Sequence, residues 1–370
     1  MRRLLLIVAI ALVAAGPARA GAPPVNAHAY IVEDARTGEI LASSHAHDRL
    51  PIASITKLMT VLVTLQHHKL TDVVTVDPRA ASVGESSIDL NAGEQLTVRD
   101  LIKGALIQSA NDAADALALS IAPDYPSFAR LMNQQAAALG LDDSHFVRPD
   151  GLDAPGEYSS AADVTKLART LMRTRFIRET VGRVTDTIAG GRTVHTWDDL
   201  LSLYSPTFGV KTGHTSKAGW CQVAAARGRG VTVYATLLGS PTRSERNVDL
   251  ESLLIWGLGQ FRVVPAVHTG RAYAEVKVPY GRRPLALVAS KPLLAVARLG
   301  RPLTETVTAP AVVSLPVRAG TVIGRVEIRA AGRLVGTRDL VASRTINKPS
   351  LPRRLAWYAG RALHHLAHLL

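Results

Sequence analysis

Runs of strand-forming residues stand at both ends of a long helical stretch, and this arrangement limits the fold more than any other feature of the sequence. Residues 29–34 and 37–41 predict two strands around a tight turn, and residues 219–226 and 231–238 predict a second hairpin. We therefore expect an α+β domain in which one antiparallel sheet is built from both ends of the segment and helices are inserted between them. Apolar side chains at three- and four-residue spacing predict these helices over residues 52–67, 98–108, 112–121, 126–139 and 161–174.

The sequence pattern changes after Pro265. From residue 270 to residue 346, short runs of Val, Leu and Ile are separated by Gly and Pro at intervals typical of a small all-β sandwich. A proline-containing linker and a helix-like tail follow. The predicted organisation is a signal segment (residues 1–20), an α+β domain (residues 21–265), a β-sandwich (residues 266–347) and a linker with an amphipathic helix (residues 348–370).

The N-terminal segment has the composition of a secretory signal peptide. A basic start at residues 1–3 precedes an apolar run at residues 4–16, and Ala18 and Ala20 place small side chains at positions −3 and −1 of a cleavage site. The alternative is a membrane anchor, but roughly 20 apolar residues are needed to span a bilayer, and this run is shorter. We expect cleavage after Ala20 and export of the mature protein.

The positive charge of the chain is confined to its C-terminal part. The chain of 370 residues has a net charge of +13, and residues 266–370 account for all of it, with 17 Lys and Arg against 4 Asp and Glu. The α+β domain is near neutral, which argues against nucleic acid as its partner. The single cysteine, Cys221, excludes an intramolecular disulfide; we expect it to pack in the core, with a thiol near the site as the alternative.

Ser54 and Lys57 begin the first predicted helix, whose next residues, 58–65, are apolar on nearly every face. A spacing of three residues is about one helical turn, so the serine hydroxyl and the lysine amine face the same way. Burial would lower the pKa of the amine, and a neutral amine can remove the serine proton. In isolation, the pattern S-x-x-K more often marks a helix N-cap and a lysine that extends to solvent.

Two further motifs contain residue types suited to the same chemistry. Ser109 and Asn111 form S-x-N at a predicted turn between helices, which exposes both side chains. Lys211, Thr212 and Gly213 form K-T-G at the start of the last hairpin, where the lysine presents a cation and the glycine lets a substrate backbone approach the strand edge. Each motif alone is weak. In this order, the three match the signature of penicillin-binding proteins and class A β-lactamases.

On these motifs the chain resembles the low-molecular-mass penicillin-binding proteins, specifically the D-alanyl-D-alanine carboxypeptidases. The resemblance runs from about residue 25 to the C-terminus. It implies a penicilloyl serine transferase or β-lactamase-like first domain, followed by the β-rich second domain and the amphipathic C-terminal anchor that this family typically carries. Beyond the three motifs it includes residues 51–53, 83–87, 111–114, 146–152 and 215–220, and Arg246.

The resemblance implies a mechanism through an acyl-enzyme. Ser54 attacks the carbonyl of the penultimate D-alanine with Lys57 as general base, the terminal D-alanine leaves, and water hydrolyses the ester. Ser109 is expected to pass a proton to the leaving amine. The backbone N–H groups of Ser54 and His214 are expected to form the oxyanion hole.

The resemblance also implies which residues bind substrate. Asn111 is expected to hold the substrate and Lys57 in place. Lys211 and Thr212 are expected to help bind the substrate carboxylate and to position Ser109. These expectations are carried over from the family motifs and do not follow from spacing alone.

The position of Arg246 and two departures from the family pattern bear on carboxylate binding. Arg246 looks like the carboxylate-side arginine of the family, and the alternative is a surface arginine in a Ser-Glu-Arg loop. Arg148 stands where the family usually has Asn. Residues 193–199 contain no arginine where some members carry a second carboxylate contact. Recognition of the carboxylate is therefore expected to depend more heavily on Lys211 and Arg246.

The leading hypothesis is a serine-type carboxypeptidase that removes the terminal D-alanine from peptidoglycan pentapeptide and is inhibited by β-lactams. The alternatives are a D,D-endopeptidase, a β-lactamase and, from a different class, an inactive scaffold or a non-catalytic envelope-binding module. The stretch between Ser109 and Lys211 lacks the Glu-x-x-Leu-Asn pattern of class A β-lactamases. No cofactor or metal is expected, because no metal-site spacing relates His45, His47, His67 and His68.

The tail from Arg353 to Leu370 is amphipathic. Trp357 and Tyr358 suit the depth of a membrane interface, and the tail is too polar to span a bilayer, so we expect it to lie on an anionic inner-membrane surface. The alternative is a helix docked on the core of the protein. The expected location is the periplasm, with no nucleic-acid partner and an oligomeric state that the sequence does not indicate. The predicted apolar face consists of Leu355, Ala359, Ala362, Leu363, Leu366, Leu369 and Leu370.

Overall fold

The structure, a computed structural model, describes residues 5–12, 21–280 and 282–367, with side chains described for residues 21–280 and 282–360. The expected cleavage site and the tail residues Leu369 and Leu370 lie outside the described residues. The strands are β1 (Leu5–Leu12), β2 (Ala29–Asp34), β3 (Ile40–Ser44), β4 (Val73–Thr75), β5 (Gln95–Thr97), β6 (Thr185–Thr187), β7 (Thr193–His195), β8 (Thr207–Thr215), β9 (Gly219–Gly228), β10 (Val231–Ser240), β11 (Phe261–Val267), β12 (Ala272–Val278), β13 (Arg282–Ala289), β14 (Leu293–Arg298), β15 (Leu303–Pro310), β16 (Val322–Ala330) and β17 (Arg333–Ala342). The α-helices are α1 (Lys57–His67), α2 (Pro78–Ala81), α3 (Val98–Lys103), α4 (Asn111–Leu119), α5 (Tyr125–Leu139), α6 (Ala161–Leu171), α7 (Arg175–Val181), α8 (Leu200–Leu203), α9 (Arg243–Gly259) and α10 (Leu351–Ala367).

The described chain divides into two compact units, residues 21–259 and residues 260–367 together with β1. The central sheet of the first unit has the strand order β3-β2-β10-β9-β8, and all neighbouring strands are antiparallel. β2, from the start of the unit, pairs with β10, near its end, with Val32 opposite Ala235. This confirms the sheet predicted from the two hairpins. β8 is one of the two outer strands, so one of its edges is not paired within the sheet.

Helix α1 runs through the core of the first unit, as its apolar sequence predicted. Seven of its eleven residues are buried, including Lys57 at its first position. A short 3₁₀ helix, Ala53–Thr56, precedes α1 and carries Ser54. The fold therefore buries the lysine side chain, which is normally charged. Each N–H donor of its amine then needs a hydrogen-bond partner.

The predicted helix over residues 98–108 is regular only in its first half. α3 is followed by a π-helical turn, Gly104–Gln108, and the chain then reverses at Ser109 with φ of 63° and ψ of 27°. A left-handed backbone is uncommon for a residue other than glycine, and π-helical turns often occur at functional sites. This local geometry places Ser109 and the first residue of α4, Asn111, at one corner of the helical region.

Helix α9 corrects the expectation for the segment after the second hairpin. The sequence analysis did not predict this helix and left open a surface loop around Arg246. In the structure Arg246 lies in the first turns of α9 and is only 1% exposed, so the surface-loop alternative is wrong. The helix packs on the sheet through the buried residues Leu250, Leu253, Leu254 and Leu258.

The second unit contains the strands predicted after Pro265. Its larger sheet has the order β1-β15-β16-β17-β13-β12, and β11 pairs with β14. Alternating side chains of these strands form a separate hydrophobic core that includes Leu285, Val326 and Leu340. The predicted signal segment contributes β1, which pairs antiparallel with β15. Among the described residues, none of the helices combines the length and the apolar character that a bilayer crossing requires.

Candidate active site

Ser54 is presented by a strained turn that leads into a buried helix. Ala53, the residue before it, has a φ of 49°, an unusual conformation for a residue with a Cβ. Gly151 lies against the Ala53 carbonyl with a φ of +78°, and a Cβ on Gly151 would meet that carbonyl. The backbone around Ser54 is therefore set by close packing on a neighbouring loop, and its hydroxyl lines an open cavity.

Lys57 is fully buried and its amine has three neighbours. Its Nζ lies 2.9 Å from Ser54 Oγ, 2.7 Å from Asn111 Oδ1 and 2.6 Å from the Asp150 carbonyl oxygen. The last two can only accept hydrogen bonds. A neutral amine that donates its two N–H groups to them therefore directs its lone pair at Ser54 Oγ. Burial lowers the pKa of Lys57 to about 8, against the opposing effect of the Asp150 carboxylate, so the neutral form is accessible.

Asn111 is held so that its oxygen faces Lys57. Its Nδ2 donates to the Gly84 carbonyl at 3.0 Å, and its backbone N–H donates to the Ser86 carbonyl at 2.7 Å. These bonds fix the orientation of the side-chain amide, because a flipped amide would place its NH2 group against the lysine amine. The Asn111 side chain is thus oriented to accept a hydrogen bond from the Lys57 amine.

Ser109 and Lys211 form a second hydrogen-bonded pair at the cavity. Lys211 Nζ donates to Ser109 Oγ at 2.8 Å and to the Thr212 carbonyl at 2.9 Å. Burial lowers the pKa of Lys211 well below its usual range, and the nearby charge of Lys57 adds to the effect. The nearby charge of Asp198 acts in the opposite direction, although no carboxylate contacts the Lys211 amine among the described residues. The fixed cation expected at this position stays a prediction.

The K-T-G motif lies on β8, beside the segment that carries Ser54. Gly213 is in close contact with that segment: a Cβ at this position would lie 2.7 Å from the Ile52 carbonyl oxygen and 3.2 Å from the Ser54 nitrogen. The sequence analysis related this glycine to the approach of a substrate. In the structure, the backbone that leads to Ser54 occupies the space beside this glycine, and the approach of a substrate stays a prediction. His214 follows on the same strand, and its ring stacks on Trp220 with centroids 4.0 Å apart.

A cavity of about 220 Å³ joins these groups, and its wall includes residues that the sequence analysis missed. Two of them are Trp197 and Arg243. The side chain of Arg243 lies over Trp197, with 5.7 Å between the guanidinium carbon and the ring centroid. Residues 193–199 contain no arginine, and the second guanidinium of the cavity comes from the start of α9. The wall is formed by Ser54, Glu85, Ser86, Ser109, Asn111, Trp197, Thr212, Gly213, His214, Trp220, Arg243 and Arg246.

The two arginines of the cavity share a single carboxylate. Arg243 binds Asp199 through Nε at 2.8 Å and Nη2 at 2.6 Å, and Arg246 Nη2 lies 3.2 Å from the same side chain. Arg246 also donates to Asn247 Oδ1 at 2.6 Å. The two guanidiniums and Asp199 together carry one net positive charge, which favours an anionic group of a ligand, while Glu85 in the cavity wall and Asp198 near Arg246 oppose it. The Arg243 side chain is 39% exposed and the Arg246 side chain 1%, so Arg243 is the more accessible donor.

Arg148, the departure from the family pattern, supports the loop that holds Lys57. Its guanidinium binds the Asp150 carboxylate at 3.0 and 2.6 Å, while the carbonyl of Asp150 accepts from Lys57. Although burial disfavours its charge, these bonds keep the pKa of Asp150 below its usual value. The arginine thus compensates a buried carboxylate in the loop whose backbone accepts from the Lys57 amine. Burial raises the pKa of Asp115 and Glu157, which lie near the same network, to about 7.

Cys221 is fully buried on β9, as predicted. Its sulfur lies 3.4 Å from the Ala218 carbonyl oxygen and accepts from the Gly239 N–H at 3.4 Å. Burial raises the pKa of the thiol to about 12, so the reactive thiolate is not formed near neutral pH. Cys221 is a packing residue and takes no part in the hydrogen-bonded groups of the cavity.

The chain is similar to known proteins in both sequence and structure. A family model described as D-alanyl-D-alanine carboxypeptidase matches residues 17–242. The chain is 30% identical to the D-alanyl-D-alanine carboxypeptidase DacF of Bacillus subtilis, with 84% of each chain covered, and 31% identical to DacA of Escherichia coli, with 93% of this chain and 90% of the relative covered. Among solved structures, penicillin-binding protein 5 from Haemophilus influenzae is similar, with a TM-score of 0.64 at 27% identity over 88% of this chain and 99% of that chain.

Proposed function

The chain belongs to the D-alanyl-D-alanine carboxypeptidase family of serine peptidases, and we propose that Ser54 is the nucleophile through which it acts. It is a serine-type D-Ala-D-Ala carboxypeptidase. The observation that carries the assignment of Ser54 is the set of three contacts around the Lys57 amine, which leaves the serine hydroxyl as the only one of its partners with a proton to give. The substrate proposed for this chain is peptidoglycan pentapeptide, and the proposed inhibitors are β-lactams.

In the proposed first step, Ser54 Oγ attacks the carbonyl carbon of the penultimate D-alanine and Lys57 Nζ takes the hydroxyl proton. The carbonyl oxygen becomes an oxyanion, which the N–H groups of Ser54 and His214 stabilise. The C–N bond then breaks as its nitrogen is protonated, terminal D-alanine leaves, and the proton held by Lys57 replaces the one that was delivered, so the lysine amine is neutral again. Water attacks the ester, Lys57 accepts one of its protons and passes it to Ser54 Oγ, and the shortened peptide leaves with a new carboxyl group.

Ser109 is the proposed route for the proton to the leaving nitrogen. Its hydroxyl accepts from Lys211 and lines the cavity, so its own proton is available to a group bound there. We propose that Lys211 becomes fully charged when the carboxylate of the substrate arrives, because a nearby anion raises the pKa that burial has lowered. Substrate binding then also strengthens the hydrogen bond from Lys211 to Ser109.

Arg243 and Arg246 are proposed to attract the terminal carboxylate together with Thr212. Arg246 is buried and held by Asp199 and Asn247, so it acts mainly through its charge. The more accessible Arg243 can donate directly to the substrate through Nη1, which has no hydrogen bond in the part of the chain that the structure describes.

The first prediction concerns this carboxylate. We expect the protein to release D-alanine from a soluble peptide that ends in D-Ala-D-Ala, and to act at least tenfold more slowly on the same peptide with a C-terminal carboxamide. In Arg243→Gln, kcat/KM for the free acid should fall about 10- to 100-fold, since a charge-assisted hydrogen bond contributes about 1.5–3 kcal/mol. The carboxamide rate should change little. The measurement is D-alanine release at several substrate concentrations.

The control for Arg243→Gln is Arg173→Gln, because Arg173 is exposed and does not line the cavity. Equal losses in both variants, or equal losses on acid and amide, would remove Arg243 from carboxylate recognition. A preference for cross-linked dimers over pentapeptide would support the endopeptidase alternative. Hydrolysis of β-lactams faster than of the peptide would support a β-lactamase. The comparisons favour neither, since the named relatives are carboxypeptidases.

The proposed location is the periplasm, with the mature protein attached to the inner-membrane surface through α10. The proposed layout keeps the predicted order: a signal segment at residues 1–20, the peptidase domain, the β-sandwich domain and a linker with an anchor from residue 348. The boundary before the β-sandwich moves from the predicted residue 266 to residue 260, where the second compact unit begins. Support for the anchor comes from exposed apolar side chains on α10, because Leu351, Leu355 and Tyr358 are 64%, 61% and 53% exposed.

The second prediction tests this anchor. The mature chain should sediment with vesicles that contain anionic lipid, and deletion of residues 351–370 should reduce the bound fraction at least tenfold. D-alanine release from a soluble peptide should remain within about twofold, because none of the cavity residues belongs to the deleted segment. Leu355→Glu serves as a point variant. Full binding by both variants would place the membrane contact elsewhere in the basic C-terminal part.

A further inference from the structure

Two histidines and an aspartate converge on the surface of the first unit. Asp48 Oδ2 lies 2.9 Å from His28 Nε2 and 3.4 Å from His45 Nδ1. These three ligand atoms all lie within 4.8 Å of one another, and all three side chains are exposed. This is the one such group of three among the residues whose side chains the structure describes, and nothing in the peptidase mechanism uses it.

The backbone holds the three residues in register. β2 and β3 pair with Tyr30 opposite Ser44, so His28 and His45, at the outer ends of these strands, stand at the same end of the hairpin. The N–H of Asp48 donates to the His45 carbonyl at 3.0 Å, which closes a turn, and His45 itself has a φ of 49°. The sequence spacing did not predict this group because strand pairing, not proximity along the chain, brings His28 to His45.

We propose that His28, His45 and Asp48 bind a divalent transition-metal ion, with Zn²⁺ as the ion to test. Imidazole and carboxylate are ligands that zinc prefers, at about 2.0–2.2 Å from the metal. A tetrahedral ion with such bonds places its ligand atoms about 3.4 Å apart. The observed separations of 2.9 and 3.4 Å from Asp48 are already close to this value, and rotation of two exposed rings can supply the rest. Solvent would complete the coordination.

The proposed site differs in chemistry from two ordinary histidine–aspartate ion pairs. In ion pairs each ring donates an N–H hydrogen bond to Asp48. A metal ion would take the place of both hydrogens and bind all three residues at once. The ion would join the segment before β2 to the turn after β3. None of the three residues lines the cavity, so the site goes beyond the peptidase function and is expected to stabilise the fold without taking part in a catalytic step.

The test is a titration of the full mature chain with Zn²⁺ after treatment with a chelator, followed by calorimetry. We expect one equivalent to bind, and His28→Ala and His45→Asn each to weaken binding at least tenfold. Asparagine is chosen at position 45 because it tolerates the left-handed backbone better than other residues do. His47→Asn is the matched control, since His47 is a neighbouring exposed histidine that pairs with Asp143 instead.

A second measurement separates loss of the site from loss of the fold. Zn²⁺ should raise the Tm of the wild type and of His47→Asn and leave that of the other two variants unchanged, since a ligand stabilises only the state that binds it. Without zinc, all variants should unfold cooperatively and release D-alanine at wild-type rates. The proposal is overturned if the wild type binds no zinc, if His28→Ala and His45→Asn bind as well as wild type, or if His47→Asn loses binding to the same degree.

Discussion

Ser54→Ala is expected to abolish both covalent labelling by penicillin and release of D-alanine, with kcat lowered by at least about 10⁴-fold. Without the hydroxyl no acyl-enzyme can form, and the remaining groups of the cavity can only bind and polarise the substrate. The substitution removes one atom at a cavity wall, so the fold should be retained. Fluorescent penicillin on a denaturing gel measures the acylation, and a coupled assay measures D-alanine.

The matched control for this prediction is Ser202→Ala, on an exposed position of α8. It should label and turn over like the wild type. Thermal unfolding of both variants should lie within a few degrees of the wild type. D-alanine release by Ser54→Ala at an appreciable rate would contradict the assignment of the nucleophile, and labelling of that variant by penicillin would point to Ser109 as the acylated residue.

Lys57→Met is the second substitution with a large expected effect. It removes the proposed general base, so the rate of acylation should fall by about 10²- to 10⁴-fold, the usual contribution of such a group. Methionine also leaves Asn111 Oδ1 and the Asp150 carbonyl without their donor, and some loss of stability should accompany the loss of rate. The rate constant of penicillin acylation is the direct measurement, because it precedes hydrolysis.

The pH dependence of acylation identifies the base. A lysine acts as a base only when it is neutral, and burial lowers the pKa of Lys57 from 10.5 to about 8. The wild-type rate should therefore rise with pH and level off above about pH 8, whereas an ordinary lysine would give a rise that continues beyond pH 10. In Lys57→Met this rise in rate with pH should be absent. The control, Lys69→Met on an exposed position after α1, should keep the rise.

If the acylation rate of Lys57→Met still rises with pH, the titrating group is another residue. Lys211 is the first candidate, because burial lowers its pKa too and its amine contacts Ser109. The two lysines are also coupled, since charge on one disfavours charge on the other. The same profile measured for Lys211→Met separates them: it should keep the rise near pH 8 if Lys57 is the base.

The sequence determined the chemistry of this protein in outline. The three motifs singled out Ser54, Lys57, Ser109, Asn111 and Lys211 before any geometry was known, because their residue types and their order along the chain match a family signature. The spacing of apolar residues identified the terminal strands and most helices, because the buried face of a strand or helix recurs at the period of that element. These features are local, so they can be recognised along the chain.

Features that depend on contacts between distant segments could not be obtained this way. Residues 193–199 contain no arginine, and the second guanidinium of the cavity comes from Arg243 on α9, which binds Asp199 from 44 residues away. The Asp150 carbonyl oxygen accepts from Lys57, 93 residues away. Gly213 likewise lies so close to the Ile52 carbonyl that a Cβ at this position would not fit. None of these pairs has a fixed separation in sequence, so no pattern in the chain reveals them.

Local chemistry and tertiary packing therefore decide different properties of the same residues. The motif S-x-x-K specifies which groups can react, and it does so within a single helical turn. Whether Lys57 is neutral enough to serve as a base depends on its burial by other elements and on oxygens from Asn111 and Asp150, 54 and 93 residues away in the sequence. Only the tertiary structure decides this, because desolvation and hydrogen bonding act through space and set the pKa of a side chain whose identity the sequence already specifies.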